Sequence, residues 1–424
     1  MRILIKAAKI HDTHSAHHGQ TMDLLVADGL IQEIAPNIDT TVDQVISASG
    51  LALSPGWIDL KADFCEPGNE HKETLETGAS AAERGGFTHV CLVPSTTPPV
   101  DNKAQIEYIK NKNQYAAVEI IPTGCLSLGH EGKELSEMFD MTQSGAAFFT
   151  DDQKHVSTGL LYRALLYVKN FGARIAVTVN DTGISKHGMV NEGLASTTTG
   201  LKAIPAIAEI LDIERCLRLV EYTDSAIHLS GLSTAEGVAL IRQAKKQGLR
   251  VTADVHVNQL LFNETAVLGF DSNYKVLPPY RTEEDRLALW QGVHDGTLDA
   301  IVSDHRPAHE DEKELEFDYA SFGNITLELL FPALQTCKEF DLNAVLRALT
   351  AGPAEVLGRK LAKIAVNETA DLTLFSVEEQ TQIDKSSLAS LSFNTPFLHA
   401  TLPGRIVGVL NQGRLVLSKM ESHA

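Results

Sequence analysis

Hydrophobic and polar positions alternate with a period of two along the first fifty residues. Runs at Arg2–Ile5, Asp23–Ala27 and Ile31–Ile34 predict short strands, with Asp28-Gly29 as the hairpin turn between the last two. Leu51–Pro55 follows and leads into the apolar run Gly56–Leu60. From there the pattern changes. A helix is predicted over Glu73–Arg84, ended by Gly85-Gly86, before the strand Thr88–Pro94. Ala147–Thr150, Arg174–Val179, Ala226–Leu229, Arg250–Val255 and Ala300–Ser303 read as further strands. Helices over Gly159–Asn170, Ala235–Gln247 and Thr282–Val293 fall between them. Strands alternating with helices make parallel βα units, and this many in one span suits a closed barrel. After that the period returns to two, at Asp371–Phe375, Arg405–Leu410 and Arg414–Leu417, with the turn Asn411-Gln412-Gly413 between the last pair.

The expected fold class is therefore α/β: a (β/α)8 barrel over residues 53–364. A small β-sheet domain is built from both chain ends, 1–52 and 365–424. Composition narrows the partners. Fifty-five acidic against 36 basic residues give a formal charge of −19, which argues against nucleic acid and anionic lipid, both of which need a basic footprint. No apolar run approaches the roughly 20 residues of a membrane span. The start MRILIKAAKI lacks a secretory pattern, so the expected location is cytoplasmic. Five scattered cysteines without a C-x-x-C pair indicate neither a disulfide framework nor a zinc knuckle.

In a barrel of this kind, reactive groups project from the C-terminal ends of strands. The polar residues at those ends are Lys61 and Asp63, Ser95, Asp151-Asp152, Asn180-Asp181, Ser230-Gly231 and Asp304-His305. They lie among longer motifs: PGWID at 55–59, EPGNEHKE at 66–73, ETGASAAERGGFTHV at 76–90 and FTDD at 149–152. STAEGVALIRQAKKQGLRVTADV at 233–255, KVLPPYRT at 275–282, SDHRP at 303–307, GNITLELLFPAL at 323–334 and ADLTLF at 370–375 continue the series. Together, in this order, they resemble the bacterial dihydroorotases of the amidohydrolase superfamily. The resemblance implies a barrel whose relatives hydrolyse a cyclic amide with zinc-activated water.

Against that pattern the resemblance also marks departures. The His-x-His after the first strand is Lys61-Ala62-Asp63, and two later histidine ligands are Asn180 and Gly231. An ammonium, an amide and a bare glycine are poor substitutes for imidazole, so zinc is expected to be lost. The arginine that grips the substrate carboxylate is Cys65, and two substrate asparagines are Ser95 and Leu277. Asp304 and Asp151 (or its neighbour Asp152) are expected as vestigial acids, Asp304 paired with Lys61, and the pair Asp151-Asp152 as a cap or structural hydrogen bond. His228, His256, His305 and His309 are expected to be structural, and the His11–His18 cluster to lie in a surface loop without a physiological metal role. The expected function is that of a non-catalytic member. The resemblance implies a scaffold partnered with the aspartate carbamoyltransferase catalytic chain, a homo-oligomer within a hetero-oligomer. The alternatives are an active cyclic amide hydrolase with a rearranged site, and a ligand-binding sensor.

Overall fold

Both chain ends are drawn into one sheet. The computed structural model describes residues 1–112 and 116–418. The sheet runs Arg414–Leu417, Thr401–Asn411, Leu372–Gln382, Leu51–Pro55, Arg2–Ile10, Thr21–Ala27, Leu30–Ala35, with Gln44–Ile46 beside Arg2–Ile10. The two-residue alternation places Ile3, Ile5, Leu24, Val26, Leu53, Leu372, Leu374 and Leu410 in one apolar core. Leu51–Pro55 joins the two halves, pairing parallel to Arg2–Ile10 and antiparallel to Leu372–Gln382. All of that strand belongs to the sheet, so the change to the barrel falls at Gly56 rather than after residue 52. A Cβ at Gly56 would stand 2.0 Å from Asp371 Oδ1 and 2.1 Å from Thr88 Oγ1, so the chain passes here only as glycine.

The barrel strands Trp57–Ala62, Phe87–Leu92 and Glu119–Pro122 pair in parallel. Phe149 then bridges Gly124 on one side and Ile175 on the other. Ile175–Thr178, Ala226–Ser230, Arg250–His256 and Ala300–Val302 continue the ring, and a parallel bridge from Ala62 to His305 closes it. The strand expected over Ala147–Thr150 is thus reduced to bridges at Phe149. Among the elements not anticipated are the strand Glu119–Pro122 and the helices Lys103–Lys112, Ile207–Thr223 and Leu342–Leu349. The first helix runs Leu75–Arg84, capped by Thr74 Oγ1, which accepts from Thr77 N–H. Glu73 is therefore outside it, with its side chain free for the interior.

Val90, Ile227, Leu229, Val251 and Ala253 face the outer helices, against Leu161, Leu165, Ile213, Val238 and Ile241. The opposite strand faces fill the barrel with Ile58, Leu60, Cys91, Ile121, Phe148, Ala176, Ala300 and Val302. Trp57 joins barrel and sheet. It is fully buried against Phe87, Phe331 and Phe375, and its indole N–H donates to Ser54 Oγ at 2.8 Å. Among the described residues, no helix is long and apolar enough to cross a membrane.

Candidate active site

Towards the C-terminal ends of the strands the inward positions turn polar, and Lys61 stands at their centre. It is 5% exposed. Its Nζ lies 3.2 Å from Thr178 Oγ1, 3.5 Å from Ser230 Oγ and 3.4 Å from His256 Nε2, at the ends of three other strands. Asp152 Oδ1 and Asp304 Oδ1 are each 3.8 Å away. His256 also meets Asp304, Nδ1 to Oδ2, at 3.2 Å. Burial lowers the His256 pKa to about 4, with Lys61 pushing the same way and Asp304 opposing. The imidazole is therefore neutral at pH 7, and its bonding follows: Nε2 accepts from the ammonium and Nδ1–H donates to Asp304. Asp59 holds the floor of this arrangement. It accepts from Ser303 N–H at 3.0 Å, Ser303 Oγ–H at 2.5 Å and Lys61 N–H at 3.3 Å, tying the first strand to the eighth.

Arg306 bridges the carboxylates of this centre. Its guanidinium donates to Asp152 at 2.5 and 2.8 Å, a bidentate fork, and to Asp304 at 3.1 Å. Burial would raise the Asp152 carboxyl, but Arg306, Lys61 and the Ser95 hydroxyl at 2.8 Å outweigh it and hold it well below the usual carboxylate range. Asp63 is bound by Cys65 N–H at 2.7 Å and lies 3.8 Å from Arg306. Burial raises its pKa against the pull of that guanidinium. The Cys65 thiol is also pushed up by burial, first, and by Asp63, so it is no nucleophile. Cys65, Asp152, Gly231 and Asp304 all have positive φ, so each of these strand ends turns sharply to aim its group.

A second buried pair backs the first. Asp254 Oδ2 meets His228 Nε2 at 2.9 Å, and its Oδ1 accepts from Ser230 Oγ–H at 3.2 Å and Gly231 N–H at 2.7 Å. Residues 252, 254 and 256 share one strand face, as do 228 and 230. That alternation of Thr, Asp and His with apolar residues was the available sign that Asp254 and His256 point inward. Arg306 and Asp59 carried no such sign.

The remaining expected positions divide. Asp151 turns away and accepts from Ser127 N–H at 2.9 Å and Ser127 Oγ–H at 2.5 Å, so it braces a loop. Asp152, and not Asp151, is the acid that faces Lys61. Asn180 gives its backbone N–H to Asp212 at 3.0 Å, while Leu277 and Asn180 line a separate cavity of about 10 Å³ beside Arg281. His305 Nδ1 accepts from Thr326 N–H at 3.1 Å, and its Nε2 lies 3.5 Å from the buried Glu73. His309 caps a short helix outside the site. His11 packs beside Phe375 and His18, far along the chain from these groups.

Similarity to known proteins decides the family. A Dihydro-orotase-like family profile matches residues 50–237 and an Amidohydrolase family profile matches residues 213–416. A protein named Dihydroorotase from Pelotomaculum thermopropionicum is 38% identical over 423 residues, covering 98% of this chain and 99% of its own. Another Dihydroorotase, from Caldicellulosiruptor saccharolyticus, is 36% identical and covers 98% of each chain. The chain belongs to the dihydroorotase-like amidohydrolases. The L-hydantoinase (dihydropyrimidinase) of Arthrobacter aurescens superposes with a TM-score of 0.85 at 22% identity, covering 99% of this chain and 96% of that one. The dihydropyrimidinase of Brevibacillus agri gives 0.81 at 20% identity, over 98% and 95%. These establish the fold: an amidohydrolase barrel with a separate β domain.

Membership corrects one expectation from the sequence. A chain that is no enzyme is overturned by relatives 35–38% identical over nearly the full length and named Dihydroorotase, which indicate a catalytic cyclic amidohydrolase. The zinc that the resemblance implies is a different matter, because the donors present do not fit it. An ammonium occupies the centre. A Cβ at Gly231 would lie 2.8 Å from His256 Nε2, so His256 fills the room that a ligand at 231 would need. Among the described residues no group of three or more His, Cys, Asp or Glu is placed to hold a metal ion.

Proposed function

We propose that the chain opens a cyclic amide of the dihydroorotate class with a rearranged site that works without zinc. The observation that carries this reading is the 38% identity over 98% of the chain to a protein named Dihydroorotase. The chemistry is assigned to the groups present. Lys61 and Arg306 supply fixed positive charge for the oxyanion that develops when water attacks the ring carbonyl. Once the ammonium turns from Nε2 to the developing oxyanion, neutral His256, oriented by Asp304 at 3.2 Å, takes the proton of that water on Nε2 and returns it to the leaving ring nitrogen. The cavity beside Lys61 is about 20 Å³, room for one water, so admitting the ring requires the groups around it to part.

The test is ring opening of dihydroorotate, dihydrouracil and hydantoin followed by chromatography after exhaustive dialysis against chelator. Turnover should persist after dialysis and fall by about 100-fold or more in Lys61→Met. No product from any of the three at high enzyme concentration would end this reading. The partner expected from the resemblance, the aspartate carbamoyltransferase catalytic chain, belongs to the same proposal, because consecutive enzymes of one route gain from assembly. Light scattering of the mixed chains reads that assembly, and two unshifted peaks would remove it.

A further inference from the structure

We propose that the Lys61 ammonium is the resident cation of this site, standing where a divalent ion is implied for the family, so that the folded chain neither needs nor takes up zinc there. The inference rests on the family assignment and is independent of whether a ring is opened. Three observations carry it. The first is position: Nζ is within 3.8 Å of groups from five other strand ends, namely Thr178, Ser230, His256, Asp152 and Asp304. A lysine that merely packed its stem would let its head reach water, but this one is turned into the barrel with 6% of its side chain exposed.

The second is charge balance. Asp152 and Asp304 are buried at 5% and 3% exposure, and both face Lys61 on one side and Arg306 on the other. Two cations thus answer these two carboxylates, and Asp63 lies 3.8 Å from Arg306 at the edge of the group. Asp254 is satisfied separately by His228, Ser230 Oγ–H and Gly231 N–H. A dication added to this centre would meet an ammonium within a few ångströms and find its carboxylates already engaged. The third is orientation. Nε2 of His256 lies 3.4 Å from Nζ, so this imidazole serves the ammonium.

The experiment compares wild type with Lys61→Met, which keeps chain length and loses charge, and with Lys61→Arg, which keeps the charge. Each is dialysed against chelator, analysed for zinc, and melted with and without added zinc. Wild type and K61R should be zinc-free with melting unmoved by either treatment. K61M should melt lower and bind zinc at least about tenfold more tightly, because two buried carboxylates have lost one of their cations. If K61M fails to fold while K61R folds, the charge itself is required, which supports the proposal. Zinc retained by wild type near one ion per chain, melting that falls on chelation, or a K61M no more responsive to zinc than wild type would each overturn it. None of these readings needs turnover, so failure here is distinct from failure to open a ring.

Discussion

His256 links the site to pH in a direction that can be worked out. Its pKa in the folded chain is about 4, against 6.5 for the free group, because burial and Lys61 disfavour the charged form. Between those two values the unfolded chain takes up a proton that the folded chain refuses. Stability should therefore fall as pH drops from 6.5 to 4, by about 3 kcal/mol from this residue. Asp152, held low, adds a loss in the same direction at still lower pH, where the unfolded carboxylate protonates first. Urea midpoints from pH 7 to 4.5 should slope downward in wild type and flatten in His256→Gln; equal slopes would show that His256 carries no such linkage. Some strand-end residues were legible at this scale: Lys61, Ser95 and Asp304 meet around Asp152 and Arg306, with Asp63 3.8 Å from Arg306, whereas Asn180 and Leu277 line a separate cavity. The choice between Asp151 and Asp152 was not legible, because it depends on a single positive φ at Asp152. Nor was Arg306, which lies two residues past Asp304 and folds back over it.

Elements were legible where their period was clean. The helix Ala235–Lys246 and the strand Arg250–His256 stand within a residue or two of expectation, bounded by Gly248. The helix Ile207–Thr223 was missed because its apolar residues go round the circumference. Ile210, Ile213, Cys216 and Val220 are buried, while Ile207, Leu211 and Tyr222 are exposed. The strand at 147–150 was over-read, since an apolar run shows burial but not ladder length. The contact between elements that matters most is the joint at Gly56-Trp57. Trp57→Ala should cost about 3–5 kcal/mol, from a cavity among Phe87, Phe331 and Phe375. Gly56→Ala should cost about 1–3 kcal/mol by overpacking against Asp371 and Thr88. Chemical denaturation checks both, and a Gly56→Ala midpoint equal to wild type would refute the close approach.

At the scale of the molecule, the barrel and the two-ended sheet were readable from the order of periods, and the family from the order of motifs. What the site does was not, because departures at single positions cannot show how the neighbours rearrange around them. Removing residues 401–418 should leave the strand Leu372–Gln382 with an open edge and uncover Leu374 and Phe375. The shortened chain is expected in the insoluble fraction, or as large aggregates by size exclusion. A soluble, monomeric product would mean the sheet closes without its last strands.

The sheet also sets an order of events during synthesis. Leu51–Pro55 leaves the ribosome more than 300 residues ahead of its antiparallel neighbour Leu372–Gln382. At translation rates of about 5–20 residues per second, Leu51–Pro55 waits on the order of tens of seconds for that neighbour. Through that interval a nascent chain carries an unpaired β edge beside a growing barrel, which makes it a natural client for a chaperone that shields such edges.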